Sequence, residues 1–314
     1  MYSIGIDIGG TSIKGGLVDN EGKVLDTFVV PVYKGEGQLV TSGRLIDELV
    51  KFVDKVGKDN VNGIGIGCAG AINSTTGVVD YSNNLDWHNL PLVKMIEDRL
   101  GLKAKITNDA NAAALGEAKF GAGKEYKTAI LLTLGTGVGG GIIINDEIYD
   151  GNEGKGAELG HMKIELHGRE CTCGRFGCLE AYASASALIK DTKEAMMKDK
   201  SSKLWELVDG DIAKVNGKVA FDAEALGDKT AKEVIDNYVM YLSEGILNFC
   251  NIFRPDVIIL SGGIANQRDN LNNRLTAYCD ERDYGFHCTP KVLIKTATLG
   301  YNSGIIGAAC LFIK

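Results

Sequence analysis

The sequence predicts a duplicated α/β fold whose two lobes share a cleft. Three observations carry that expectation. The 314 residues are many for one core and few for three. Short apolar runs alternate with segments of helical spacing, the pattern of mixed sheet and helix layers. A strand, a glycine turn and a second strand open the chain at residues 3–18, and the same device recurs at residues 129–144. Composition agrees: 45% hydrophobic and 24% charged residues are globular values, and 41 glycines against 4 prolines imply many tight turns.

Taken in order, Ser3 to Ile8 alternates polar and apolar residues, Gly9-Gly10 turns the chain, and Ser12 to Val18 with Val24 to Val30 completes a meander. Leu39, Leu45, Ile46, Leu49, Val50 and Val53 are spaced for a helix, and Val61 to Gly67 reads as a buried strand. A helix (Leu92 to Leu100), a strand (Ala104 to Thr107) and an Ala-rich helix (Asp109 to Lys119) follow. These make an N-terminal lobe of residues 1–120, which the C-terminal helix 303–314 is expected to join. The second lobe, 121–302, starts with strands Ala129 to Leu134 and Gly139 to Ile144, is mainly helical from Leu179 to Phe253, and adds the strand Val257 to Leu260. A helix (Asn270 to Glu281), a strand (Val292 to Ile294) and a helix (Ser303 to Phe312) complete the chain.

Charge and hydropathy remove several function classes. With 34 basic and 41 acidic residues the net charge is −7, and no run of five like charges occurs, so nucleic acid and acidic membranes are disfavoured partners. The longest apolar runs, such as Ile305 to Ile313, fall short of the ~18 residues of a membrane helix. Met1 to Asp7 lacks a basic region and carries a carboxylate within its apolar stretch, unlike a signal peptide. A cytoplasmic location is expected, where the eight cysteines stay reduced and a cluster among them reads as metal-binding.

Asp7-Ile8-Gly9-Gly10-Thr11 sets a carboxylate at a strand end before two unhindered backbone N–H groups and a hydroxyl. Such a turn can clamp phosphate, with Asp7 holding Mg²⁺ through water, although a plain hairpin turn has the same residues. Gly135-Thr136-Gly137-Val138-Gly139-Gly140 repeats the chemistry in the second half. This stretch and Gly65-Ile66-Gly67-Cys68-Ala69-Gly70 both satisfy GxGxxG, yet neither opens a helix as a dinucleotide-binding unit requires, and no P-loop signature exists. Ser261-Gly262-Gly263 is a third glycine turn, suited to the adenosine end of a nucleotide or to starting a helix.

His161 with Cys171, Cys173 and Cys178 makes a Cys₃His set, a closed tetrahedral site for structural Zn²⁺. Cys68, Cys250, Cys279, Cys288 and Cys310 are scattered through apolar segments and read as core residues. Glu158 and Glu180 bracket the cluster, either as surface charges or as acceptors for sugar hydroxyls. Asn108 and Asp109 stand where a strand meets the Ala-rich helix. Asp109 there is either an N-cap or a general base. Upstream, Tyr81-Ser82-Asn83-Asn84-Leu85-Asp86-Trp87 gathers amides, a hydroxyl and an aromatic ring into a loop suited to a polyol.

Together these motifs resemble the ROK family of bacterial sugar kinases, in the actin-like, hexokinase-like ATPase superfamily, across essentially the whole chain. The zinc signature, with nine residues between His161 and Cys171, is its most specific part. The resemblance implies a two-lobed actin-like ATPase (duplicated ribonuclease H-like) fold with a zinc loop. It implies Asp109 as catalytic base, with Gly70, Asn83, Asn84, Asn108, Asp109, Glu158, His161 and Glu180 on the sugar. The nucleotide set is Asp7, Gly9, Gly10, Thr11, Lys14, Thr136, Gly137, Gly262 and Gly263. ATP, Mg²⁺ and structural Zn²⁺ are the implied cofactors, and a homo-oligomer (dimer or tetramer) the implied assembly. The expected reaction is phosphorylation of the primary hydroxyl of a hexose, glucose to glucose 6-phosphate. Ala71 departs from the proline that many relatives carry, which leaves N-acetylmannosamine or N-acetylglucosamine as alternative acceptors. A sugar-responsive transcriptional regulator is the remote alternative, disfavoured because a strand beginning at Ser3 leaves no room for a helix-turn-helix domain. Loss of zinc is expected to disorder the sugar residues and leave the glycine turns intact.

Overall fold

The computed structural model describes residues 1–33, 35–285 and 290–313. Cys288 therefore lies outside the described residues. The chain divides into two compact units. The first comprises Met1–Leu131, Gly141–Ala157 and the chain from Thr298 onward, and the second comprises Leu132–Gly140 and Glu158–Ala297.

In the first unit β1 (Tyr2–Ile8), β2 (Ser12–Val18) and β3 (Val24–Pro31) form the meander, followed by α1 (Gln38–Val56) and β4 (Val61–Cys68). β5 (Ala71–Asn73), β6 (Val78–Ser82) and β7 (Trp87–Leu90) form a small antiparallel sheet ahead of α2 (Leu92–Leu100), β8 (Ala104–Asn108) and α3 (Asp109–Phe120). The main sheet has the order β3-β2-β1-β4-β8, with β1, β4 and β8 parallel. Ile4, Ile6, Ile64 and Ile66 are fully buried in it beside Leu45 and Leu49 of α1. Register pairs Ile8 with Cys68 and Cys68 with Asn108. The carboxyl ends of three parallel strands thus finish side by side, where open α/β sheets bind ligands.

β9 (Thr128–Leu134), β10 (Val138–Ile144) and β11 (Glu147–Ile148) repeat the opening meander. After the segment that carries Cys171, Cys173 and Cys178 come α4 (Glu180–Ala183), α5 (Ala185–Lys198), α6 (Leu204–Leu207), α7 (Val219–Ala225) and α8 (Lys229–Phe253). The chain closes with β12 (Val257–Ser261), α9 (Asp269–Arg282), β13 (Ile294–Thr296) and α10 (Ser303–Ala309). The second sheet, β11-β10-β9-β12-β13, reproduces the strand order of the first. The duplication expected from two strand–turn–strand openings is present in the sheets themselves.

Three details differ from the sequence reading. Residues 121–131 and 141–157 pack with the first unit rather than the second. The second half of β10 lies on α3, so closely that a Cβ on Gly141 would come 2.5 Å from that of Ala114. Next, the polar loop is shorter than the stretch Tyr81 to Trp87: β6 ends at Ser82 and β7 begins at Trp87, and Trp87 is 1% exposed, so its indole belongs to the core. Last, β13 begins at Ile294 and α10 ends at Ala309. α10 packs by backbone: a Cβ on Gly65 would fall 1.7 Å from the Ala308 carbonyl oxygen. Among the described residues no helix is long and apolar enough to cross a membrane.

Candidate functional site

The first unit gathers ten of the expected residues at its strand ends. Asp7 ends β1 opposite Lys14 of β2, and Gly9 N–H donates to the Ser12 carbonyl at 3.1 Å to close the turn. Gly10 faces Asn84, whose Cβ would lie 3.1 Å from a Cβ placed on the glycine. Gly70 has φ +128, and a side chain there would meet the Tyr81 carbonyl at 2.3 Å. Its own carbonyl accepts from Asn108 Nδ2 at 3.2 Å. Tyr81 donates its hydroxyl to Asn83 Oδ1 at 3.0 Å.

Asn108, not Asp109, is the N-cap of α3: its side chain accepts from Ala110 N–H at 2.8 Å. The cap therefore explains Asn108, while Asp109 is the first helical residue and accepts from the same N–H at 3.0 Å. Burial raises the Asp109 carboxyl above the ordinary 3.8, opposed by backbone N–H groups of Ala110 and its own residue. Asp7 is raised as well, by burial first, then by the Asp109 charge, with Lys14 pulling it down. A half-buried carboxyl raised by burial and by a neighbouring carboxylate, as Asp7 is, is one whose charge a hard dication would stabilise. Between them in the sheet, Cys68 is buried and its thiol is pushed up by burial and by both charges, which fits a core residue.

The second unit gathers the rest. His161 Nδ1 lies 3.6 Å from Cys171 Sγ, Cys173 and Cys178 Sγ are 3.8 Å apart, and all four candidate ligand atoms lie within 4.8 Å of one another. Thiolates placed about 2.3 Å from a tetrahedral Zn²⁺ stand roughly 3.8 Å apart, so the cluster fits the ion. Cys250, Cys279 and Cys310 are buried, as expected.

Glu180 is the N-terminal residue of α4, and both its oxygens are engaged. Oε2 accepts from Val138 N–H at 3.0 Å, and Oε1 accepts from the Thr172 hydroxyl at 2.8 Å. The carboxylate thus ties the Cys171–Cys178 loop to the second glycine turn, and a Cβ on Gly137 would meet Oε2 at 2.3 Å. The sequence reading set the glycine turns far from this cluster; the second of them is instead joined to it by one side chain. Glu158 is exposed, and its carbonyl accepts from His161 N–H at 3.0 Å. Thr136 is exposed at the turn, and Thr133 Oγ1 accepts from Gly139 N–H at 3.1 Å. Gly262 adopts φ +88 against Leu134, and Gly263 leads into the 3₁₀ turn Ile264–Gln267.

Thr133 opens the stretch Thr133 to Gly141 that resembles the family's second phosphate motif; sequence reasoning missed Thr172 and Glu117, a fully buried carboxylate of α3. The available signals were the hydroxyl between two of the clustered cysteines and the one charge within the stretch Ala110 to Ala118 of α3.

Comparison with known proteins adds identity to the geometry. The chain matches the ROK family over residues 3–314. It is 36% identical over 310 residues to a glucokinase of Thermotoga maritima, covering 98% of this chain and 96% of the relative. It matches the structure of a ROK family glucokinase from Streptomyces griseus in complex with glucose and AMPPNP, with TM-score 0.80, 33% identity and 99% coverage of both chains. It is also 31% identical to a xylose repressor of Bacillus subtilis, covering 99% of this chain and 77% of the repressor.

Proposed function

We propose, starting from the fact that this chain belongs to the ROK family, that it is an ATP-dependent sugar kinase and that it converts glucose to glucose 6-phosphate. The observation that carries the reading is Asp109, a carboxyl held at the start of α3 by backbone donors, in a chain alike to glucokinases over nearly its whole length.

In this reading Asp109 accepts the proton of the sugar's primary hydroxyl as that oxygen attacks the γ-phosphorus of ATP in line, and the bond to ADP breaks. Asn108 and Gly70, already hydrogen-bonded to each other, position the sugar with Asn83, Asn84, Glu158, His161 and Glu180. Backbone N–H groups of the turns at Gly9, Gly10 and Gly137, with Thr11, Thr136 and Lys14, hold the phosphates, and Gly262-Gly263 takes the adenosine end. Asp7 would hold Mg²⁺, which when bound would neutralise charge on the transferred phosphoryl group. His161, Cys171, Cys173 and Cys178 would hold a structural Zn²⁺, which would fix the loop leading into Glu180. The assembly is a dimer or tetramer, and the location is the cytoplasm, where ATP and reduced thiols are available.

The competing reading, a sugar-responsive regulator, is carried by the likeness to the xylose repressor and requires sugar binding without turnover. A coupled ADP assay over glucose, mannose, xylose, N-acetylmannosamine and N-acetylglucosamine decides. Glucose is expected to give the highest kcat/KM. A higher value for an N-acetylated sugar would reassign the acceptor, and no ADP with any sugar would sink the kinase reading.

A further inference from the structure

Glu117 lies in the third turn of α3, wholly buried, and no step above uses it. Its carboxylate accepts from the N–H groups of Ala122 at 2.8 Å, Thr298 at 2.9 and 3.0 Å and Leu299 at 2.8 Å, with the Thr298 hydroxyl at 3.4 Å. A carboxylate removed from water is tolerated when such donors replace its hydration. Most of these donors sit at Thr298 and Leu299, where the chain re-enters the first unit.

From there a 3₁₀ turn, Gly300–Asn302, leads into α10, whose second residue is Gly304. A Cβ on Gly304 would fall 2.7 Å from Asp7 Cγ, and one on Gly307 would fall 1.7 Å from the Ala112 carbonyl oxygen of α3. Lys14 Nζ stands 6.0 Å from the centre of the Tyr301 ring in the same segment. The backbone behind Asp7 is therefore pinned to α3 at both ends, by Glu117 at residues 298–299 and by direct packing at Gly307.

We propose that Glu117 is a positioning residue for Asp7: by clamping Thr298 and Leu299 it fixes Gly304 against the Asp7 carboxyl, and so sets where Asp7 receives Mg²⁺. The inference rests on the kinase reading for the role of Asp7 alone. A plain brace would lower the melting temperature and treat all ligands alike, whereas a positioning clamp acts on the metal-dependent part of nucleotide binding.

The test is calorimetric titration of the full-length protein with glucose, with ATP in EDTA and with ATP plus Mg²⁺. In Glu117→Gln one acceptor oxygen becomes an amide facing N–H donors. Affinity for Mg²⁺-ATP is expected to fall tenfold or more, with glucose and metal-free ATP within twofold of wild type. Gly304→Ala, which keeps the clamp but pushes on Asp7, is expected to show the same selective loss, and the double variant no more than the larger single effect. Equal losses in all three titrations, or unchanged Mg²⁺-ATP affinity in folded Glu117→Gln, would overturn the proposal. If Glu117→Gln does not fold, unchanged Mg²⁺-ATP affinity in Gly304→Ala overturns it. Wild type that binds neither sugar nor nucleotide would remove the kinase reading too, whereas wild type that binds both beside an indifferent Glu117→Gln removes this inference alone.

Discussion

At Asp109 the backbone donors and the surrounding burial act in opposite directions, and burial dominates, leaving the carboxyl raised above 3.8. A base must be ionised to accept a proton, so kcat/KM is expected to fall as pH drops through that raised value. The acid limb should sit above the pH at which an exposed aspartate titrates, and a pH–rate profile reads it directly. The same shift has a stability sign. Because the folded state favours the protonated form, its contribution is present below 3.8 and is lost as pH rises through the raised value. Asp109→Asn should therefore melt no lower than wild type at neutral pH and keep sugar affinity, while kcat falls about 10²–10⁴-fold. Near-wild-type kcat in this variant would end the assignment of Asp109 as base.

Among the secondary elements, two close approaches decide what the sequence pattern alone left open. Gly137 reads from sequence as a glycine cleared for phosphate, yet the space a side chain would take already holds the Glu180 carboxylate at 2.3 Å. Gly137→Ala is expected to displace Glu180 from Val138 N–H and raise the KM values for sugar and ATP together. A change confined to ATP would show that the glycine answers to phosphate and not to Glu180. α10 illustrates the other approach. With a Cβ on Gly65 at 1.7 Å from a carbonyl oxygen, Gly65→Ala must separate β4 from α10, a cost at or above the upper end of the 1–3 kcal/mol typical of overpacking. Urea denaturation should show a lower midpoint by that amount, and an unchanged midpoint would mean that the helix has room to shift.

At the scale of the whole molecule, the His161–Cys171–Cys173–Cys178 cluster is the feature whose disruption is expected to reach furthest within its unit. Structural zinc contributes folding free energy to its loop, and Glu180 links that loop to the second glycine turn through Thr172 and Val138. Cys173→Ala is expected to hold less than one zinc per chain, to lose sugar affinity and to weaken nucleotide binding as well. Metal analysis beside titration of both ligands checks this. A zinc-free variant with unaltered nucleotide affinity would show that the Glu180 tie transmits nothing.

Much of the protein was legible because its signals are local. The strands, the repeated glycine turns and the His161–Cys171–Cys173–Cys178 set follow from periodicity and from spacing that a few covalent links fix. Asn108 against Gly70, Glu180 against Gly137, and Glu117 against Thr298 depend on which distant backbone groups arrive beside a given side chain. So does the placement of residues 141–157, which the sequence order assigns to the second lobe and packing on α3 assigns to the first unit. Sequence by itself determined the elements and the chemistry each carries. Tertiary structure decided which carboxylates are buried, which donors hold them and which glycines have no room for a side chain, because burial and close approach arise only when elements far apart in the chain meet.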